Sequence, residues 1–512
     1  TGTSGIVGNT VVGYQAGTSI TTGVQNNALG YTALAGITTG GANTGIGYEA
    51  GKFNQTGTGN VFIGDQAGRG VFENSPGSNV GIGYRALMGI TNGSGNVVLG
   101  SYAADSLTSA QNNVIIGPSA GATMTSTSYT VLIGDNAGND INSTSAAGTV
   151  AIGYYAGSKI TSGLNTLVGY QAGKSITTGL NNAVFGYQAL QSATGNDYNT
   201  AIGYRTLYSI SGSDGSEGRY NVAIGHQAGY SNTTGNLNTF VGNGAGYSNT
   251  TGTYNNFIGA GAGQHNTTGV NNVYMGWYAA YYQQVGDNNV SIGHQSLYGS
   301  ANEANSSAEC VAVGYQAAYG ANAGTGVTAV GKGSLRQIAD SGSYSTAVGY
   351  HAGYHASGSY NTFVGGYAGT GGTTSAPYSS GESNTAVGYN SLAGFTTGGD
   401  NTTIGRNAGQ AITSGARNVI VGKQAGAAMT TNTNNVVLGV SAMSAADGVE
   451  RETIAIGYYA GGGVNSDSAI RNVFIGESAG YGGTGALNYS VAIGYEALKS
   501  TDTNGLSGTV AI

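Results

Sequence analysis

One short motif recurs along the chain and constrains everything else: Asn221-Val222-Ala223-Ile224-Gly225 followed by His226-Gln227-Ala228-Gly229, with variants such as Asn9-Thr10-Val11-Val12-Gly13-Tyr14-Gln15-Ala16-Gly17. It occurs 28 times, with central glycines from Gly13 to Gly494, and 16 of the 27 intervals between those glycines are 17 residues. A unit this short cannot bury an apolar face alone, so a fixed period of this kind marks units that stack on one another. A chain of 512 residues would ordinarily suggest several globular domains, but the unbroken repeat predicts one continuous domain over 1–512.

Taking the central glycine as position 0, the residue at −3 is β-branched in 25 of the 28 copies and the residue at −1 is apolar in all 28. β-branched side chains fit a pleated surface and are poor in helices, so −3 to −1 predicts a short strand. The glycine ends it, because only glycine adopts a corner too tight for a Cβ. Position +3 is always small, 24 times Ala, and Ile recurs at +7 before Thr-Thr-Gly turns, which predicts a second short strand and a second turn. Identical strands pair best with their own copies in the next unit, so the fold expected is all-β, a parallel β-solenoid with one coil per ~17 residues and about 28 coils. Asn at −4 in 21 of the 28 copies predicts an amide ladder along one corner.

Position −2 is apolar in 24 of the 28 copies, Phe62, Phe240, Phe257, Phe363 and Phe474 among them, where a solitary coil would expose it. A strand apolar on both faces is covered on both. These phenylalanines are therefore expected at an interface between chains, and the chain is expected to be a homo-oligomer.

Composition narrows the functional classes. Charged residues are only 7% and the net charge is −7, so electrostatic affinity for nucleic acid or an anionic membrane is not expected. One cysteine, Cys310, precludes an internal disulfide framework, and no window of 18 apolar residues exists to insert in a membrane. The first and last residues, Thr1 and Ile512, fall in mid-array, and both ends read as cuts through a longer repeat. No catalytic or metal constellation emerges and no cofactor is expected. His351 and His355 have metal-like spacing, but it needs a helix to converge. Paired carboxylates at a fixed station, as a polysaccharide-degrading solenoid would need, are missing.

Two surface features remain. The +1 tyrosines, Tyr14, Tyr31, Tyr48, Tyr84, Tyr154, Tyr170, Tyr187 and Tyr204 among them, form either an exposed aromatic stripe suited to sugars or other fibres, or a ring-on-ring ladder that stiffens the coil stack. Three long intervals place extra residues in 208–220, 298–309 and 370–383, where scarce charge collects as Asp214, Glu217, Arg219, Glu303, Glu309 and Glu382. Insertions in a solenoid gather on one face, so these are candidate recognition loops.

The motif Asn-Val-Ala-Ile-Gly-Tyr-x-Ala-Gly resembles the head repeat of trimeric autotransporter adhesins, and the Ser-Asn-Thr-Thr-Gly turns at 231–235 and 248–252 are similar to repeats of phage tail fibres. The resemblance covers essentially the whole chain and implies a left-handed β-roll that associates as a trimer. It also implies an extracellular fibre or adhesin on a cell or virion surface, with a host surface, a glycan or other fibres as partner and no enzymatic activity. The coil here is longer in its second turn than is usual for such heads. A single-chain β-helix acting in ice binding or lateral filament assembly is the alternative.

Overall fold

The computed structural model describes residues 7–212, 216–301, 305–322, 324–338, 343–447, 450–464, 469–482, 487–499 and 508–512. It is all-β, a parallel β-solenoid of about 28 turns with ~17 residues per turn. The coils group into two compact units, Thr1–Tyr254 and Asn255–Ile512. The first holds the strands from Thr10–Val12 to Thr239–Val241 and the second those from Asn256–Ile258 to Val510–Ala511. Within each unit every strand pairs in parallel with its copy one coil on, in unbroken register: Thr44↔Val61, Gly45↔Phe62 and Ile46↔Ile63 in the first, Val473↔Val491, Phe474↔Ala492 and Ile475↔Ile493 in the second.

Among the described residues each coil has one strand, not two. Among the described residues the segment around +7 to +10 runs as bends and turns, joined by isolated bridges such as Asn54↔Asn74. The local hydrogen bonding gives the reason: the N–H groups of Thr21, Thr22 and Gly23 all converge on the Thr38 carbonyl, at 3.0, 3.3 and 3.1 Å. One acceptor shared by three successive donors closes a turn, whereas a ladder needs one acceptor for every second donor.

The two faces of the strand are the reverse of the expectation. The −2 residue points into the coil's own interior, and Phe62, Phe240, Phe257, Phe363 and Phe474 are fully buried within one chain. They therefore do not form an interface between chains. The residues at −3 and −1 face outward and are half-buried or exposed. A three-residue strand puts one side chain on one face and two on the other, and alternation alone cannot say which face is inside. The narrow coil admits the single one, together with the Ala at +3 and the side chains at +4 and +7, as with Phe62, Ala67, Leu87 and Ile90.

The Asn ladder runs along the corner before the strand. Asn43 Oδ1 accepts from the backbone N–H and the Nδ2 of Asn60, at 3.0 and 2.9 Å, and Asn60 Nδ2 also donates to the Pro76 carbonyl at 2.8 Å. The pattern repeats one coil on, where Asn60 Oδ1 accepts both donors of Asn79. Buried backbone that a strand would otherwise satisfy is thus satisfied by side chains. The central glycines have φ near +126 to +144°, and a Cβ on Gly225 would lie 2.5 Å from the Gly242 carbonyl oxygen, so the requirement is steric.

Candidate functional surface

Among the described residues there is no group of three or more His, Cys, Asp or Glu able to hold a metal ion, and no helix long and apolar enough to cross a membrane. Cys310 takes an Asn position in the ladder: its N–H donates to Asn289 Oδ1 at 2.9 Å and its Sγ to the Gly324 carbonyl at 3.2 Å. Burial pushes its thiol up to about 11, so it is a packing residue rather than a nucleophile. The surfaces that remain are the outward strand face and the turn that follows it.

The outward face carries an apolar residue at −1 in every coil, beside a β-branched residue, Val, Ile or Thr, at −3 in most. Val12 is 55% exposed, Leu29 49%, Leu99 45% and Met275 43%, and Ile202, Ile224, Ile404 and Phe185 are of the same kind. Beside this aliphatic row stand the +1 tyrosines. Tyr14 stacks on Tyr31 (5.1 Å between ring centroids) and Tyr31 on Tyr48 (5.3 Å), while Tyr154, Tyr170, Tyr187 and Tyr204 form a second stack at 4.9 to 5.3 Å. His226 continues it on Tyr204 at 5.1 Å, so this histidine serves as one more ring. Rings stacked coil on coil cover one another's faces and turn their edges and hydroxyls outward. Sugars stack on aromatic faces, so these runs act as a stiffening ladder with a phenolic edge. Tyr84 departs from it, meeting Tyr102 edge-on at an interplanar angle of 80°.

A second aromatic row lies at +5, with Tyr208, Tyr230 and Tyr247 stacked in the first unit and Tyr281, Tyr298 and Tyr319 in the second. Burial raises the Tyr298 phenol to about 12. The cations of this turn enter the same rows. Lys332 lies 5.7 Å from the Tyr315 ring and 5.6 Å from Tyr350, and Arg336 lies 5.1 Å from Tyr319 and 5.4 Å from Tyr354. His351 stacks on Tyr350 at 4.0 Å. Burial first, then the charges of Lys332, Arg336 and His355, hold His351 below the ordinary imidazole range, and burial and Arg336 do the same for His355. Both rings are neutral near pH 7.

The long intervals leave the coil over a shorter span than their length suggests. Ser211 N–H donates to the Thr233 carbonyl and Gly218 N–H to the Thr234 carbonyl, at 3.2 and 3.1 Å, so at both of these residues the first loop lies in the coil. Asp214 and Glu303 lie outside the described residues. Glu217 is exposed in the bulge, its carbonyl accepting from Asn196 Nδ2 at 2.7 Å. Arg219, Glu309 and Glu382 are not on outward loops. They sit in the coil at −6, −5 and −6, where Arg219 N–H donates to Asn236 Oδ1, Glu309 N–H to the Asp287 carbonyl, and the Glu382 carbonyl accepts from Asp400 N–H. Returning early to the coil lets these backbone groups pair with the next one. The bulge of the third loop, 373–378, is Thr-Thr-Ser-Ala-Pro-Tyr and carries no charge.

The Thr-Thr turns spend half their hydroxyls internally. Thr21, Thr38 and Thr233 each donate Oγ1 to a carbonyl one coil on, at 3.1, 3.1 and 3.0 Å. A flat two-file threonine grid, as ice binding would require, is therefore reduced to one file. No family model and no curated protein matches this sequence.

Proposed function

We propose that the chain is a structural fibre of an extracellular cell or virion surface, built from copies of itself and serving attachment. The observation that supports this is the apolar row on the outward strand face, present at −1 in all 28 copies and half-buried or exposed in a single chain. Contiguous apolar surface of this extent marks an interaction site. Its side chains are Ile, Val and Leu for the most part, and completing their burial contributes roughly 1 kcal/mol per coil, so even ten coils return about 10 kcal/mol. Identical rows on identical chains are self-complementary when related by symmetry. The likeness of the motif to trimeric adhesin heads favours three chains, and the phenolic edge and the bulges are then what such a fibre presents outward.

The test is the mass in solution of the parent chain and of the double variant Ile202→Asp, Ile224→Asp. A trimer would bury six new carboxylates, and the variant is expected to fall to the mass of one chain while keeping its β-rich circular dichroism. A parent that already has the mass of one chain at micromolar concentration overturns the reading.

A further inference from the structure

The six residues after each central glycine form a turn whose charge is unbalanced over most of the second unit. In the twelve coils from Gly259 to Gly457 these positions hold Lys332, Arg336, Arg406 and Lys423, with His265, His294, His351 and His355, and no Asp or Glu. None of the four cations forms an ion pair among the described residues; the five pairs there use other cations. Of the acids in these coils, Asp287, Glu309, Glu382, Asp400, Glu450 and Glu452 precede the strand at −7 to −5, on its other side, and Glu303, Asp340, Asp447 and Asp467 stand beyond the turn at +8 to +10. In a chain of net charge −7, a turn row without acids over twelve coils is a local positive field on a weakly negative background.

The strongest point of that field is built. Lys332 and Arg336 are each clasped between two tyrosine rings, and Arg336 Nε donates to Gln316 Oε1 at 2.9 Å, which fixes the guanidinium and leaves its outer N–H groups for another acceptor. Between them lies Gly333, where neighbouring coils carry Gln316 and His351. A Cβ there would meet His351 Cδ2 at 2.9 Å and Tyr354 Cε2 at 3.0 Å, so the absent side chain is what lets these two rings lie across the notch. Two held cations, two neutral imidazoles and the exposed edges of Tyr315 and Tyr350 therefore share one patch. Four coils further on, about 19 Å at ~4.8 Å per coil, Arg406 begins a second cationic step that Lys423 completes in the next coil.

We propose that this turn face binds a linear, sparsely charged polyanion, an acidic polysaccharide bearing carboxylate or sulfate groups, lying along the coils with Lys332 and Arg336 as anchor and Arg406 and Lys423 as second contact. The proposal rests on the attachment reading above and names its ligand class. Charge density selects the class: duplex DNA carries a charge every ~1.7 Å of axis and is held by many closely spaced phosphate contacts. Cations in pairs about 19 Å apart suit one acidic group every few sugars, with phenol and imidazole edges meeting the hydroxyls between.

The experiment uses the full chain, with a lightly substituted dextran sulfate, sulfated on only one sugar in several, as probe, uncharged dextran and a single-stranded oligodeoxynucleotide as comparators, and binding measured at several salt concentrations. The parent should bind dextran sulfate, with an affinity that falls as salt rises, and dextran not at all. Lys332→Gln with Arg336→Gln should weaken binding about tenfold or more and flatten the salt dependence, and Arg406→Gln with Lys423→Gln should weaken it several-fold. Arg417→Gln with Arg451→Gln removes the same charge from the other side of the strand and should change affinity less than about twofold. The charge-keeping pair Lys332→Arg, Arg336→Lys should retain binding, which separates loss of charge from loss of packing. A parent that ignores dextran sulfate, or a control pair that weakens binding as much as the anchor pair, overturns the proposal. Tighter binding of the oligonucleotide than of dextran sulfate replaces it with a nucleic-acid reading. A chain that self-associates but binds no polyanion loses this inference alone; one that is monomeric yet binds loses the fibre reading alone.

Discussion

Between Gly47 and Gly134 the turn after the strand holds Glu49, Asp65, Asp105, Asp135 and Asp140 with Lys52, Arg69 and Arg85, whereas between Gly259 and Gly457 it holds four cations and no acid. In the first stretch all three cations are paired: Lys52 and Arg69 with Glu49, at 2.7 and 2.6 Å, and Arg85 with Asp105 at 3.2 Å. In the second, Lys332 and Arg336 lie against tyrosine rings with no acid beside them, and Arg406 and Lys423 form no ion pair among the described residues. The interiors beneath are built alike. Phe62 lies between the glycines Gly51 and Gly68, and Phe363 between Gly353 and Gly369. The same scaffold thus carries a self-satisfied surface in one place and an unsatisfied one in another. Charge on this turn varies independently of the fold, and its imbalance in the second stretch is a property of the surface.

If the interiors are equivalent, matched interior substitutions should cost the same in both stretches. Gly64→Val and Gly405→Val would each place a Cβ within 2.4 or 2.5 Å of a carbonyl oxygen in the next coil, at a φ that valine avoids. Each should cost at least about 3 kcal/mol, read as a lower midpoint in urea. Tolerance at one site and collapse at the other would break the equivalence.

The next effect is the amide ladder. Asn60→Ala and Asn401→Ala each orphan a buried N–H in the following coil, that of Asn79 or Asn418, and lose the donor bonds to Pro76 or Gly415. Each should cost about 2–4 kcal/mol, with faster amide exchange confined to the adjoining coils. Uniformly accelerated exchange would mean that a unit unfolds as a whole.

Surface charge should then separate the stretches. Burial pushes the Glu49 carboxyl up, but hydrogen bonds and charge from Lys52 and Arg69 outweigh it and hold the group below its ordinary value. A depressed folded pKa means that its contribution is full above the ordinary carboxylate range and is lost as pH falls through it. Glu49→Gln should cost about 1 kcal/mol at pH 7 and shrink towards nothing near pH 3, whereas a loss that stays constant with pH would mean that packing, not charge, is at stake. Lys332→Gln, with no acid to abandon, should move stability by less than about 1 kcal/mol, the worth of its ring contacts. A larger loss would recast the cationic row as structural.

Much of this was legible in the repeat. The strand, the glycine corner and the Asn ladder are each written in a fixed position, because each is a local requirement that every coil must meet. What escaped is what depends on geometry between positions. Which face of the strand is inside turns on how many side chains the coil admits, and Phe240 at −2 reads equally well as core or interface. The sequence did carry a signal for it: Phe62, Phe240, Phe363 and Phe474 each have glycine at +4 in their own coil and the one before, as Gly51, Gly68, Gly229, Gly246, Gly353, Gly369, Gly461 and Gly480, whereas coils with Ala at −2 can afford Leu there, as with Ala28 and Leu34. Only residues sharing a cavity would vary in size together. Arg219, Glu309 and Glu382 were misplaced because interval length counts the extra residues without saying where the chain rejoins its neighbours.

That size matching bears on how such an array finds its register. A chain of near-identical units can pair with the wrong copy, one period off, and still form every strand hydrogen bond, so backbone pairing alone does not oppose the slip. A Cβ at Gly68 would lie 2.1 Å from the Phe62 ring, and one at Gly480 2.4 Å from Phe474. A coil displaced by one period would press such a ring against Leu or leave its gap empty. Each phenylalanine with its two glycines is therefore a checkpoint against miscounting, and the spacing of these checkpoints sets how long a stretch can slip before the error is felt.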